Sequence, residues 1–189
     1  PTSTQSRRRA AINSFGFSGT NAHVVIEEYN NHEATGSIAD QSNLLTQEGL
    51  LVVSARTEVQ LKHYVRNIYQ YIKTRETIDL PGLLYTFQVG RDEMKYRLAL
   101  PVTDQEQLLR DLALLIENKT CSVACSGVVE LKKSTVIADS QEGKNYIKQL
   151  IGKRNFRQLA QLWVSGSLAP DSIEWASIYD HAAVKCVTG

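Results

Sequence analysis

The sequence predicts an α/β fold of the α+β kind: a small three-stranded sheet packed with several helices, preceded by a separate tail strand. Three observations lead there. Short apolar runs at residues 50–53 and 96–102 have strand length, and a third run at 128–136 surrounds Lys132-Lys133. Between these runs, apolar residues recur at helical spacing behind polar capping residues. A polar, turn-rich stretch at 30–49 sets all of this apart from an N-terminal segment that holds one strand pattern, at 22–26.

The elements follow in order. Gly16 and Gly19 suit a tight turn, since glycine tolerates positive φ and close backbone approach. Ala22, Val24, Val25 and Ile26 then read as one strand. From Glu27 to Glu58 there are six acids and one base, so the intervening stretch reads as a solvated linker. Leu50-Leu51-Val52-Val53 forms a buried strand. Thr57 with Gln60 makes a capping-box pattern. Leu61, Tyr64, Val65, Ile68, Tyr69 and Ile72 give residues 58–73 one wide apolar helical face. Asp79, with Pro81 just inside, starts a helix carrying Leu80, Leu83, Leu84 and Phe87, and Gly90 stops it. The second strand covers 96–102. Asp104 caps a third helix with Leu108, Leu112, Leu115 and Ile116. Residues 119–127 read as loop and 128–136 as the third strand. Tyr146, Ile147, Leu150 and Ile151 mark a helix ended by Gly152. Another starts near Asn155 with Phe156, Leu159, Leu162 and Trp163, and ends at Gly166. A short last helix at 170–179 carries Ile173, Trp175 and Ile178.

The chain has 189 residues, enough to bury a sizeable core, and its net charge of +1 makes no global case for nucleic-acid binding. No apolar run reaches the roughly 18 residues of a membrane span. Arg7-Arg8-Arg9 precedes no apolar stretch, so it reads as a solvated cluster and not as a signal peptide. Cys121, Cys125 and Cys186 have no zinc or thioredoxin spacing, and the histidines at 23, 32, 63 and 181 are scattered. Free thiols in a reducing cytosol are the expected state, with no metal.

Ser14-Phe15-Gly16-Phe17-Ser18-Gly19-Thr20-Asn21-Ala22-His23 resembles the closing motif of polyketide-type β-ketoacyl synthases, S-F-G-F-x-G-T-N-A-H. Leu51-Val52-Val53-Ser54-Ala55-Arg56-Thr57, Leu84-Tyr85-Thr86-Phe87-Gln88-Val89-Gly90-Arg91 and Tyr96-Arg97-Leu98-Ala99 resemble the start of the linker domain that follows a modular polyketide ketosynthase. Leu159-Ala160-Gln161-Leu162-Trp163-Val164-Ser165-Gly166 and Ile173-Glu174-Trp175-Ala176-Ser177-Ile178-Tyr179 resemble its later motifs. In family members with a built-in acyltransferase, several hundred residues separate these groups. Here fewer than a hundred lie between Arg91 and Trp163, and G-H-S-x-G is absent. The resemblance thus implies the trans-acyltransferase class. It divides the chain into a ketosynthase-derived tail (1–29), a linker (30–49), a post-ketosynthase flanking α/β domain (50–180) and the start of a downstream linker (181–189).

The resemblance also says where chemistry is not expected. The family's nucleophilic cysteine and paired histidines lie upstream of the tail motif, so no catalytic residue is assigned here. His23 is expected to pack or hydrogen-bond. Phe17 matches the phenylalanine that gates the acyl pocket in related condensing enzymes; a core aromatic in a turn is the plainer reading. Lys132, Lys133, Lys144, Lys148, Lys153, Arg154 and Arg157 sit with two acids in a stretch of net +5. That stretch is either a solvated helix face or a docking surface for an acidic partner. The expected function is a non-catalytic structural and docking segment of a cytoplasmic polyketide synthase in antibiotic biosynthesis. It would brace the ketosynthase body and meet a trans-acting acyltransferase or an acyl carrier protein. No cofactor is expected in the segment itself; phosphopantetheine would arrive on the carrier protein. Neither nucleic acid nor membrane is an expected partner. The alternative is a small stand-alone hydrolase or transferase.

Overall fold

The computed structural model describes residues 8–28, 48–129, 140–168 and 172–179. The chain divides into two compact units, Pro1–Gln41 and Ser42–Gly189. In the first, β1 (Arg9–Phe15) and β2 (Asn21–Glu27) form an antiparallel hairpin with Phe15 opposite Asn21 and Arg9 opposite Glu27. The turn closes through Gly16 N–H donating to the Thr20 carbonyl at 2.7 Å, with Gly19 at φ 85°. A Cβ on Gly16 would stand 2.7 Å from that carbonyl oxygen, so only glycine fits.

The hairpin corrects the expectation of a single, unpartnered strand. In β1 the small residues Ala10, Ala11 and Ser14 weaken the apolar alternation that marks a strand, so the pattern showed only in β2. Arg8 and Arg9 are exposed, as a solvated cluster should be, yet they also pair across the hairpin. Arg8 meets Glu28 at 2.6 Å and Arg9 meets Glu27. Opposite charges facing each other across a ladder help to hold its register.

In the second unit, β3 (Gly49–Ala55), β4 (Tyr96–Val102) and β5 (Cys125–Val128) form an antiparallel sheet in the order β3-β4-β5. The third strand therefore starts in the stretch read as loop and ends where the expected strand began; residues 130–139, with most of that expected strand, lie outside the described residues. Small residues, Ser126 and Gly127, concealed β5, and pairing with residues 96–99 creates it.

Among the described residues, five helices cover the sheet: α1 (Glu58–Lys73), α2 (Leu80–Val89), α3 (Gln105–Ile116), α4 (Gln141–Gly152) and α5 (Phe156–Ser165). Each starts on a side-chain cap: Thr57, Asp79, Asp104, Ser140 and Asn155 accept from the backbone N–H three residues on. Gly166, at φ 73°, ends α5 as expected. Gly152 is the last residue of α4, but the left-handed position is Arg154, at φ 51°. Asn155 N–H reaches the Leu150 carbonyl and Arg154 N–H the Ile151 carbonyl, both at 2.9 Å, a Schellman ending. The expected final helix is a 3-10 turn, Trp175–Tyr179.

The run Leu50-Leu51-Val52-Val53 is apolar at every position because the sheet is covered on both faces. Leu50, Val52 and Ala99 join a core built with α4, α5 and the 3-10 turn. Leu51, Val53, Leu98 and Leu100 join a second core built with α1, α2 and α3. Leu50, Leu51 and Leu100 are fully buried, each burial contributing roughly 1.5–3 kcal/mol.

Candidate functional site

The expected site residues separate into three groups. Phe17 lies in the hairpin turn with its side chain fully exposed, at 111% of the reference area, so the core-aromatic reading is wrong. The turn is closed by backbone bonds alone and needs no aromatic filling. Phe15 and Val24 are exposed as well, at 76% and 52%. His23 Nδ1 hydrogen-bonds to the Asn13 side chain directly across the hairpin. Lys132 and Lys133 lie outside the described residues.

The other five cations follow α4 and its junction with α5. Lys144 and Lys148 are exposed one turn apart on α4. Lys153 is exposed at the C-cap, where it complements the negative end of the helix dipole. Arg157 is exposed in the first turn of α5. Arg154 is different: half-buried, it donates from Nη1 to the Glu48 carbonyl at 3.1 Å and ties the junction to the start of β3.

Among the described residues, no group of three or more His, Cys, Asp or Glu could hold a metal ion. Cys121 packs against one core and Cys125 against the other, and burial pushes the Cys125 thiol pKa up. A thiol held protonated is a poor nucleophile. A cleft of about 60 Å³ lies beside Tyr64, Phe87, Arg91, Met94 and Trp163. Small-molecule sites are several times larger, roughly 300–1,000 Å³.

The polar side chains that do converge are interior. Arg97, 7% exposed, meets Glu93 Oε2 at 3.0 Å through Nη2. Its Nη1 donates to the Trp163 carbonyl at 2.8 Å and its Nε to the Met94 carbonyl at 3.1 Å. The Trp163 indole N–H donates to Glu93 Oε1 at 2.9 Å, and the guanidinium stands 4.9 Å from the Trp163 ring centroid. A buried charge persists only when paired and hydrogen-bonded in this way. A second knot joins α2, β3 and the 3-10 turn. Gln88 Nε2 donates to the Leu50 carbonyl, and the Tyr179 hydroxyl donates to Gln88 Oε1, each at 2.7 Å. Tyr85 stacks edge-on against Tyr179 at 5.6 Å.

Residues 52–119, which span β3 to α3 with the loop holding Glu93, match the family described as RhiE-like, KS-MAT linker domain. This stretch is a polyketide synthase linker domain. Its relatives agree. The chain is 33% identical to polyketide synthase PksL of Bacillus subtilis over 174 residues, which is 91% of this chain and 4% of PksL. It is 33% identical to PksN of the same organism over 184 residues, 96% of this chain and 3% of PksN. Among solved structures, it is similar to a ketosynthase from module 6 of the Bacillus subtilis bacillaene synthase, with a TM-score of 0.66 and 31% identity. That match covers 98% of this chain and 30% of the ketosynthase. A ketosynthase from module 1 of the Bacillus amyloliquefaciens bacillaene synthase gives 0.64 and 26%, over 95% of this chain and 28% of that one. The chain therefore spans a few per cent of the curated synthases it matches and under a third of the solved ketosynthase chains.

Gln88, Arg97, Trp163 and Tyr179, quoted above among the carriers of the resemblance, form the two interior knots of the second unit. The pairing was not foreseen: Gln88 and Tyr179 are 91 residues apart and Glu93 and Trp163 are 70 apart. The signal available was a polar residue at a helix or strand position whose neighbours on the same face are apolar.

Proposed function

We propose that this chain acts as a non-catalytic brace and docking element of a trans-acyltransferase polyketide synthase. The observation that carries the reading is the use of its converging polar groups. Arg97, Glu93, Gln88 and Tyr179 satisfy one another inside the fold, tying β3, β4, α2 and α5 into a rigid body. Such a body suits a spacer that holds a ketosynthase and the following chain at a set geometry. The trans-acyltransferase assignment is supported by the relatives. Their alignment runs through 91–96% of this chain over 174–184 residues, with no insertion of acyltransferase size. The exposed cations Lys144, Lys148, Lys153 and Arg157 offer a surface that an acidic carrier protein bearing phosphopantetheine, or a separate acyltransferase, would meet through electrostatic steering. The chain itself would hold no cofactor.

Two measurements test this. Incubation of the chain with an acyl thioester and a carrier protein, followed by mass spectrometry, is expected to leave it unmodified; an acyl adduct that survives desalting overturns the non-catalytic reading. NMR titration at low salt with the carrier protein and with the acyltransferase is expected to shift resonances of the α4–α5 junction. Those shifts should shrink with salt, as the screening length falls from about 10 Å at 0.1 M to about 3 Å at 1 M. Absence of any shift with both partners rejects the docking role.

A further inference from the structure

The second unit opens and closes on the same helix. One stripe of α2, with Leu80, Leu84 and Gln88 one turn apart, touches both the beginning of β3 and the 3-10 turn Trp175–Tyr179. At the opening end, a Cβ on Gly49 would stand 2.5 Å from Leu84 Cδ1, so β3 begins pressed against this stripe. At the closing end, Ile178 and Tyr179 face Glu48 and Gly49 across a cleft of about 10 Å³, room for no more than one water. The three-stranded sheet and α1–α5 all lie between these two points of the chain, which are nonetheless neighbours in space.

Two kinds of contact hold the closing turn. Ile173, Trp175 and Ile178 are buried in the core that Leu50 and Val52 share. That seat is apolar and non-directional, so it does not by itself fix where the turn sits along α2. Gln88 does. Its Nε2 donates to the Leu50 carbonyl and its Oε1 accepts from the Tyr179 hydroxyl, each at 2.7 Å and buried, where directional bonds are strongest. One amide thus bridges the main chain of the incoming strand and the last side chain of the closing turn. Arg154 adds a second hold on the incoming end, through the Glu48 carbonyl at 3.1 Å. A pull between the segments before Glu48 and after Tyr179 reaches these bonds before it reaches the β3–β4 ladder.

We infer that α2 is a mechanical clasp, with Gln88 as its catch, which holds the incoming and outgoing chain side by side and keeps load out of the body of the unit. This rests on the brace role proposed above and says which bonds carry it. The test pulls the full chain between handles at Pro1 and Gly189 in optical tweezers, at fixed force. The second unit of the unaltered chain is expected to open in one step. In Gln88→Leu the closing turn should come off first, as an extra step of roughly 20–30 Å for the eight residues 172–179. The lifetime of the closed state should fall at least ~10-fold. Gly127→Ala, which strains the β5–α5 contact away from the load path, should keep the single step. If Gln88→Leu does not fold, Tyr179→Phe carries the test, since it removes only the hydroxyl; the same extra step is expected. A step pattern and lifetime in the Gln88 and Tyr179 variants equal to those of Gly127→Ala overturn the clasp, while the brace role stands on a body that opens only as a whole. A closing turn that detaches from the unaltered chain at negligible force removes both.

Discussion

The Tyr179 hydroxyl donates a 2.7 Å hydrogen bond to the side-chain carbonyl of Gln88, whose amide in turn donates to the Leu50 main chain. Three elements far apart in sequence are thereby locked through one buried amide, and Gln88 is only 6% exposed. Gln88→Leu leaves the Leu50 carbonyl and the Tyr179 hydroxyl without their partner. The expected loss is about 2–3 kcal/mol in urea unfolding. Tyr179→Phe should lose about 1 kcal/mol. The double variant should lose less than the sum, since both changes break the same bond.

Alkaline pH should weaken the same knot. Burial, set partly against the Gln88 hydrogen bond, raises the Tyr179 pKa well above the ordinary tyrosine value of about 10. Once pH passes about 10, the unfolded chain releases this proton while the folded chain keeps it, so stability falls as pH rises. The stabilisation is complete below the unfolded value. Urea midpoints between pH 8 and 11 should therefore decline near the top of the range, and Tyr179→Phe should flatten that decline. An identical slope in both proteins refutes the assignment.

Arg97 should resist conservative replacement. Arg97→Met strands the Glu93 carboxylate and the Trp163 carbonyl, with an expected cost of about 3 kcal/mol, at the low end for a broken buried pair because Glu93 keeps 25% exposure. Arg97→Lys restores the charge but not the planar fork that reaches three partners. It should recover less than half of the loss by chemical denaturation.

Glycine substitutions should divide by location. A Cβ on Gly127 would stand 2.5 Å from the Val164 carbonyl oxygen, where β5 meets α5. Gly127→Ala must push the strand and helix apart and should cost about 1–3 kcal/mol. Gly152, with open space around it inside α4, is the control: Gly152→Ala should stabilise by about 0.5–1 kcal/mol. Thermal unfolding of the two variants checks both signs.

Cys121 and Cys125 should not oxidise to a mutual disulfide. They pack against different cores, although only four residues separate them. The raised pKa of Cys125 should also slow its alkylation at neutral pH. Peptide mass spectrometry after mild oxidation would show any such bridge.

Much of the architecture was legible in local patterns. Thr57, Asp79, Asp104 and Asn155 were readable as caps, because a cap bonds an N–H only three residues away. The span of α1 was readable from its apolar period. The cations of α4 were readable as charge, but the divergent role of Arg154 was not, since its partner, Glu48, lies 106 residues away.

What the sequence determined by itself, then, was what depends on neighbours within a few residues: five helices, the caps of four of them, the two apolar strands, and the motifs that marked the family. The tertiary structure decided the rest. It paired the weakly patterned 9–15 with 21–27 and turned 125–128 into a strand. It also placed Arg97 beside Glu93 and Trp163, and Gln88 beside Tyr179. Those outcomes depend on contacts between distant segments. Whether a polar side chain becomes a buried tie or an exposed docking group follows from what packs over it, which no local period records.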